Sequence, residues 1–363
     1  MKSAVDTVLS LARPELRALK AYEHARWDPT LERLHANESP WPSAGMPGAA
    51  LNRYPEPQPT ELVSALAQRY GVNAEQVLAA RGSDEGIDLL TRAFCPSGQS
   101  SVIVCPPTFG MYAVAARIQG AQVIEIPLDA DFQPNTEAIA SALNDQTRIV
   151  WVCSPNNPTG NLIERRRLDT LLNLTVGRAL LVIDEAYGEF APEASLVAKI
   201  NSSPHLVILR TLSKAAALAG ARVGSVLAHP EVIALLRKLI PPYALPSLSI
   251  DAALASQSPA ARAVENSRIT QLIEERDRLV AQLNALRASR GVVRRVWPSA
   301  ANFVLVELAD RAPILQRLSA AGLLVRDVGG RAGLGEALRI TVGTRDQNDR
   351  LLATLRSENQ SDP

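Results

Sequence analysis

The chain has 363 residues, of which 47% are hydrophobic and 21% charged, a composition typical of a folded protein of about two domains. Its 38 Lys+Arg and 37 Asp+Glu residues leave a net charge of +1, so no basic excess draws it to nucleic acid or to an acidic membrane surface. The three cysteines lack CxxC spacing and form neither a disulfide framework nor a zinc motif, and we predict a cytoplasmic protein with no metal.

The first elements in chain order are an N-terminal arm, a connector and a helix. Residues 41–59 are rich in proline, glycine and alanine and predict an extended connector. Residues 60–70 carry apolar side chains on one helical face, with Thr60 as the expected N-cap and Gly71 after the end. The uncharged stretch 93–116 is broken by prolines and glycines, which argues against a membrane-spanning helix.

Short apolar runs then alternate with helical patterns, as expected for an α/β fold. The runs are residues 102–105, 123–126, 149–153, 180–183, 206–209 and 225–228. They are rich in β-branched residues and almost free of polar ones, which is typical of strands buried on both faces of a parallel or mixed sheet. Helices are expected between them, for example at residues 162–174 and 232–240.

The pattern changes after a long helix predicted at about residues 268–286. Strands at 302–308 and 337–342 around a helix at 312–321 indicate a smaller α/β domain. We therefore predict an arm and part of the small domain at 1–45, a large domain with a mostly parallel sheet flanked by helices at 46–265, and a small C-terminal domain at 266–363.

Two polar segments directly follow predicted strands. Residues 154–160 read Ser-Pro-Asn-Asn-Pro-Thr-Gly, and residues 184–187 read Asp-Glu-Ala-Tyr. The carboxyl ends of strands are where open α/β sheets bind ligands, although the first segment is also an ordinary turn composition. Two acids after an apolar strand need a partner. Magnesium is one possibility, but the chain lacks the GxxxxGK[ST] loop that a nucleotide site needs; the cationic ring nitrogen of a cofactor is another.

Lys214 follows a further strand, in a segment of small residues. The chain has only five lysines, and a desolvated lysine forms Schiff bases with carbonyl compounds and with pyridoxal phosphate. The alternative is an ordinary solvated lysine. Arg222 lies eight residues on and could reach a phosphate.

Two further segments suit a phosphorylated, flat ligand. Residues 82–85, Gly-Ser-Asp-Glu, precede a helical pattern and can present backbone N–H groups to an anion. They can also be a plain helix cap formed by Ser83 or Asp84, and the two interpretations are not exclusive. Phe109 lies on a proline-rich turn and could stack on a ring, or could be a core aromatic.

In this order, the segments make the chain resemble the fold type I aminotransferases that use pyridoxal phosphate, over nearly its whole length. The resemblance begins at residues 37–40 (Asn-Glu-Ser-Pro) and ends at 338–343 (Leu-Arg-Ile-Thr-Val-Gly). It is strongest to the histidinol-phosphate aminotransferases, through residues 52–55, 81–86, 107–112 and 211–220. The departures are Ala216 where phenylalanine is usual, Phe109 where tyrosine is common, and Ser39 where asparagine is frequent.

The resemblance implies a role for each site residue. Lys214 would hold the cofactor covalently and move the proton, Asp184 would pair with the ring nitrogen, and Tyr187 and Asn157 would bind the ring oxygen. Phe109 would stack on the ring. The cofactor phosphate would be bound by Ser83, Asp84, Ser213 and Arg222, and by Tyr54 of a partner subunit, which implies a homodimer.

The resemblance also implies the substrates, histidinol phosphate and glutamate or 2-oxoglutarate. Arg339 would bind the glutamate carboxylate and, with Arg326 and Tyr22, the phosphate of histidinol phosphate, since arginine binds both groups with two hydrogen bonds. Asn157 would also contact the substrate. An aromatic or broad-specificity aminotransferase and a phosphothreonine-type decarboxylase share these features. A non-catalytic regulator and a nucleotide-dependent enzyme fit less well, because the chain shows no helix-turn-helix pattern and no phosphate loop.

Overall fold

The computed structural model describes residues 3–356 except residues 25, 29 and 47. The predicted regions 1–45 and 266–363 therefore extend at the two termini outside the described residues. Seven strands form the larger sheet, in the order β1-β7-β6-β5-β4-β2-β3. They are β1 Val77–Ala80, β2 Ser101–Val104, β3 Gln122–Glu125, β4 Thr147–Cys153, β5 Leu180–Asp184, β6 Leu206–Thr211 and β7 Gly224–Leu227.

The larger sheet is mostly parallel, which confirms the predicted fold class. Strands β2 to β6 pair in parallel, and β7 lies antiparallel to both β1 and β6. Alternate residues of one strand enter different cores, as the two-residue period of a strand requires. On β4, Val150 and Val152 pack in one core and Ile149 and Trp151 in the other. The continuous apolar runs in the sequence reflect this burial on both faces.

Helices cover both faces of this sheet and continue into a second unit. They are α1 Ala4–Ser10, α2 Pro14–Ala18, α3 Thr60–Tyr70, α4 Ser83–Phe94, α5 Met111–Gln119, α6 Thr136–Ala142, α7 Arg165–Leu174, α8 Pro230–Arg237, α9 Ser247–Ala255, α10 Pro259–Arg290, α11 Arg311–Ala320 and α12 Arg345–Arg356. None of the helices among the described residues is both long and apolar enough to cross a membrane.

A smaller sheet follows α10. Its strands are β8 Val293–Val296, β9 Phe303–Leu308, β10 Arg326–Asp327 and β11 Ala337–Thr341, all antiparallel in the order β10-β11-β9-β8. It has its own core, to which α10 contributes Leu279 and Leu283. The separate core of the smaller sheet supports the proposed division into a large and a small domain, although the boundary predicted at 265/266 lies inside α10.

The structure differs from the sequence predictions mainly at element ends. Thr60 is the first residue of α3, not its N-cap: Pro59 precedes the helix, and the Glu56 carboxylate accepts the Thr60 N–H at 2.6 Å. Helix α10 begins nine residues before its predicted start. Strand β1 was not predicted, because Ala79 and Ala80 give it few β-branched residues.

Candidate active site

A cavity of about 210 Å³ opens at the carboxyl ends of β4, β5 and β6. Parallel strands end at the same edge of a sheet, so residues that follow them meet there. Ten of the residues singled out in the sequence line this cavity: Ser83, Asp84, Phe109, Asn157, Asp184, Tyr187, Ser213, Lys214, Arg222 and Arg339.

Asp184 forms the floor of the cavity and is 3% exposed. Its Oδ2 accepts a hydrogen bond from the Tyr112 hydroxyl at 2.7 Å, and its Oδ1 accepts one from the Ala186 N–H at 3.0 Å. Burial nevertheless raises the pKa of Asp184 to about 6, against the effect of both hydrogen bonds. A cation in the cavity would lower this pKa again, so the carboxylate is suited to a positively charged ligand group.

Lys214 faces the same cavity from the segment after β6. Although its side chain reaches solvent at the cavity mouth, partial burial and the positive charge of Arg339 lower the pKa of its ammonium group. The Nζ atom lies 5.7 Å from the centre of the Tyr187 ring. A lowered pKa increases the fraction of neutral amine, the form that attacks carbonyl carbon.

Ser83, Asp84, Ser213 and Arg222 form one end of the cavity, which we call the anion cradle. The Arg222 guanidinium lies 3.1 Å from Asp84 Oδ2 and donates to Ser213 Oγ at 3.3 Å. Helix α4 begins at Ser83, and no side chain caps it among the described residues, so its first N–H groups point toward the cavity end as an anion site.

Two glycines make the cradle possible. Gly82 has a φ of +80°, and a Cβ there would lie 2.7 Å from Arg222 Nη2. A Cβ on Gly224 of β7 would lie 2.6 Å from the Ser83 nitrogen. A larger residue at position 82 would displace the guanidinium from the helix start, and one at position 224 would push β7 away from the helix start.

Asn157 joins the large sheet to the small one at the other end of the cavity. Its Nδ2 donates to the Tyr187 hydroxyl at 3.4 Å, and its Oδ1 accepts from Arg339 Nη1 at 2.5 Å. Tyr187 is buried, and burial raises its pKa well above the ordinary value. Burial and the nearby charges of Arg326 and Arg331 lower the pKa of Arg339, which marks this end of the cavity as rich in positive charge.

Phe109 lines a side of the cavity and packs edge-on against Tyr112, with ring centres 5.6 Å apart. Tyr112 in turn stacks on Trp151, with centres 5.0 Å apart. Phe109 is therefore held beside the cavity by an aromatic cluster, and a phenyl ring at this position is suited to packing against a planar ligand.

The structure does not bring three predicted residues into the cavity lining. Tyr54 is 50% exposed and stacks on Tyr243, and Tyr22 is 69% exposed and packs edge-on against His24. Arg326 is exposed on β10, directly opposite Arg339 of β11. Opposite residues of an antiparallel pair share a face, so Arg326 lies beside the cavity rather than in it.

Sequence reasoning missed several lining or supporting residues. Tyr112 lies in the aromatic segment 107–112, but nothing in the sequence showed that its hydroxyl reaches Asp184, 72 positions away. Thr211 and Cys153 end β6 and β4 and line the cavity; their positions at strand ends were a usable signal. Arg331, whose charge lowers the pKa of Arg339, gave no such signal in the sequence, because it lies in an exposed turn of an arginine-rich chain.

Comparisons with known proteins agree with this geometry. The family model described as aminotransferase class I and II matches residues 41–355. The histidinol-phosphate aminotransferase of Xylella fastidiosa (strain 9a5c) is 46% identical over 368 residues, covering 98% of each chain, and that of Aeromonas hydrophila is 42% identical over 96% of this chain and 98% of the relative. A histidinol-phosphate aminotransferase from Sinorhizobium meliloti, solved in complex with pyridoxal-5'-phosphate, superposes with a TM-score of 0.75 at 24% identity, covering 88% of each chain.

Proposed function

We propose a specific reaction for this chain on an established premise: it belongs to the class I and II aminotransferases, as the family match over residues 41–355 shows. The predicted family, fold and enzyme class are thereby confirmed. The proposed reaction moves the amino group of L-histidinol phosphate to 2-oxoglutarate and gives imidazole acetol phosphate and glutamate. The names of relatives 42% and 46% identical over nearly the full length support histidinol phosphate as the amino donor.

The observation that carries the proposal is that Lys214, Asp184 and the anion cradle surround one cavity. The residues fit pyridoxal phosphate: a reactive amine for its aldehyde, a buried carboxylate for its ring nitrogen, and an arginine with free helix N–H groups for its phosphate. When bound, this cofactor supplies a carbonyl that takes up amines and a ring that accepts electrons.

Each residue then has a distinct task. Lys214 would hold the cofactor covalently, and its Nζ, once displaced by the substrate amine, would move the proton from the substrate Cα to the cofactor carbon that carried the aldehyde. Asp184, aligned by Tyr112 and the Ala186 N–H, would pair with the ring nitrogen and keep it protonated. Tyr187 and Asn157 would bind the ring oxygen, and Phe109 would cover one ring face.

Arg339 selects the substrates at the opposite end. Its guanidinium binds the glutamate carboxylate in one half-reaction and, with Arg326 and Tyr22, the phosphate of histidinol phosphate in the other. The charge of Arg326 already acts on Arg339 across the β10–β11 pair. One positively charged end can therefore serve two anionic donors.

A homodimer completes the site. Large apolar side chains are exposed along the N-terminal arm and connector: Tyr22, Leu31, Leu34, Trp41, Met46, Leu51 and Tyr54. Such a patch is typical of a subunit interface, and Tyr54 then reaches the cofactor phosphate of the partner subunit. The three cysteines are free and buried, which suits the proposed cytoplasmic location.

The test is the visible absorption of the protein loaded with pyridoxal phosphate. Histidinol phosphate should convert the lysine-bound form to the amine form, and 2-oxoglutarate should restore it. Discharge by aromatic amino acids alone would reassign the chain to an aromatic aminotransferase. Carbon dioxide release from phosphothreonine without ketoacid dependence would reassign it to a decarboxylase.

A further inference from the structure

The strand ends that build the cavity also carry buried charges on their opposite face. Successive residues of a strand point to opposite faces. Asp184 and Thr211 line the cavity, whereas their chain neighbours Glu185 and Arg210 are buried behind it, with side chains 3% and 7% exposed. Neither of these two residues has a task in the proposed reaction.

Arg210 contacts the segment that follows β5 at several points. Its Nη2 lies 2.6 Å from Glu185 Oε2 and donates to Ser195 Oγ at 3.1 Å, and its Nη1 lies 3.7 Å from Glu189 Oε1. A Cβ on Gly188 would lie 2.5 Å from Nη1. The guanidinium is therefore packed directly against the backbone that carries Asp184 and Tyr187.

Glu185 is held equally firmly. Its Oε1 accepts from the Leu196 N–H at 2.9 Å, its Oε2 accepts from the Ser195 hydroxyl at 2.7 Å, and its backbone N–H donates to the Leu209 carbonyl at 3.0 Å. The Glu185–Arg210 pair thus ties the end of β5 to the end of β6. Those two ends carry Asp184 and, four residues after Arg210, Lys214.

The pair also has an electrostatic effect on the cavity. Burial is the main cause of the raised pKa of Asp184, and the neighbouring charge of Glu185 adds to it. Arg210 places a positive charge against Glu185 and reduces that repulsion. A buried pair that loses one partner leaves an uncompensated charge, here one residue away from Asp184.

We propose that Arg210 is a positioning residue for the active site: acting from the opposite face of the sheet through Glu185 and the Gly188 backbone, it fixes Asp184 and Tyr187 relative to Lys214. This inference rests on the proposed function, because it assigns Asp184, Tyr187 and Lys214 their tasks there. It adds a residue that touches neither substrate nor cofactor.

Arg69 offers a matched control within the same buried cluster. Its guanidinium lies 5.7 Å from the centre of the Tyr70 ring, and that of Arg210 lies 5.3 Å from it. Arg69 also pairs with Glu189, at 3.4 Å, but its closest pair is with Glu265 of α10, at 2.6 Å. Its side chain is 2% exposed. Arg69 is thus as buried and as charged as Arg210, but it pairs with α10 rather than with Glu185.

The experiment compares R210M with R69M, and R210K with R69K, in the full chain. Pyridoxal phosphate is titrated into each protein, the dissociation constant and absorption maximum are recorded, and melting temperatures and steady-state kinetics are measured alongside. We expect R210M to raise the cofactor dissociation constant by ~10-fold and to lower kcat by ~100-fold, the effect of a misplacement of about 1 Å, with KM for histidinol phosphate changed less than threefold. R69M should lower the melting temperature by a similar amount. Its cofactor dissociation constant should stay within about twofold of the wild-type value, and its absorption maximum should not shift.

The lysine pair keeps the test decisive if R210M does not fold. Lysine retains the charge but cannot bind Glu185, Ser195 and Glu189 with one planar fork, so R210K should shift the absorption and weaken cofactor binding while R69K does neither. Equal losses of affinity in the Arg210 and Arg69 variants, in proportion to their lost stability, would overturn the inference. If wild-type protein gives no visible band with pyridoxal phosphate, it is the proposed function that fails.

Discussion

The two ends of the cavity are built in different ways. At the cofactor end, the strands of the larger sheet position the site: Asp184 ends β5, Ser213 follows β6, and Arg222 precedes β7. The hydrogen bonds and the ion pair of these residues all lie within one chain. At the donor end, Arg339 of the smaller sheet lines the cavity beside Asn157, with Arg326 exposed next to it and Tyr22 exposed on the arm. The larger sheet thus preorganises cofactor chemistry, whereas donor recognition depends on the smaller sheet and the N-terminal arm.

The largest effect is expected at the cofactor end. Among the described residues, Lys214 is the one lysine that lines the cavity. Lys214→Ala should therefore lower turnover by ~10³-fold or more, because no amine remains there to move the Cα proton. Stopped-flow half-reactions with histidinol phosphate measure this directly. Lys199→Ala is the control, since Lys199 lies in a surface ion pair with Asp169. Near wild-type turnover in the Lys214 variant would contradict the role of Lys214, and with it the claim that the larger sheet supplies the cofactor chemistry.

The next effect should be confined to the donor end. Arg339→Met should raise KM for both glutamate and histidinol phosphate by ~10–100-fold, the range for a lost charged hydrogen bond. The cofactor dissociation constant should rise less than these KM values, because Arg339 reaches the cofactor only indirectly, through Asn157. Arg326→Met is the matched variant and should act mainly on histidinol phosphate. A larger loss of cofactor affinity than of donor affinity in the Arg339 variant would show that the ends are not separable.

Asp184 offers a test of the cofactor end without any reaction. Its pKa is raised from 3.8 to about 6 in the folded chain, so the folded state binds more protons than the unfolded state between these values. Asp184 should therefore contribute on the order of 2 kcal/mol less to the free energy of unfolding of cofactor-free protein at pH 6 than at pH 4, and Asp184→Asn should remove this contribution from the measured pH dependence. Urea unfolding at both pH values measures it. Adding pyridoxal phosphate should stabilise the wild-type protein more than Asp184→Asn, because the variant lacks the carboxylate that pairs with the ring nitrogen. Equal stabilisation of the two proteins by the cofactor would contradict this pairing.

The smallest effect concerns Tyr54 and the partner subunit. Tyr54→Phe should weaken cofactor binding by only ~3–10-fold, the range for one hydrogen bond. Mixing Tyr54→Phe chains with Lys214→Ala chains should restore one site of wild-type affinity in each mixed dimer, because that site combines Lys214 of one chain with Tyr54 of the other. Affinity that stays at the Tyr54→Phe level would place Tyr54 in its own chain's site.

The same difference between the ends explains what the sequence could predict. The strands at residues 180–183 and 206–209 were recognisable from apolar β-branched runs, and the polar residues directly after them fall at the cavity. Tyr112 and Arg210 depend on contacts across the sheet, which a local pattern does not contain. For Tyr22, Tyr54 and Arg326 the sequence indicated a residue type, but their positions are set by tertiary and subunit packing.

The central claim is that Lys214 binds the cofactor. The most direct measurement is borohydride reduction of the protein loaded with pyridoxal phosphate, followed by proteolysis and mass spectrometry. The account predicts one reduced phosphopyridoxyl group, attached to Lys214 and prevented by prior addition of histidinol phosphate. Attachment mainly to Lys20, Lys199 or Lys238, or labelling that histidinol phosphate does not affect, would contradict it.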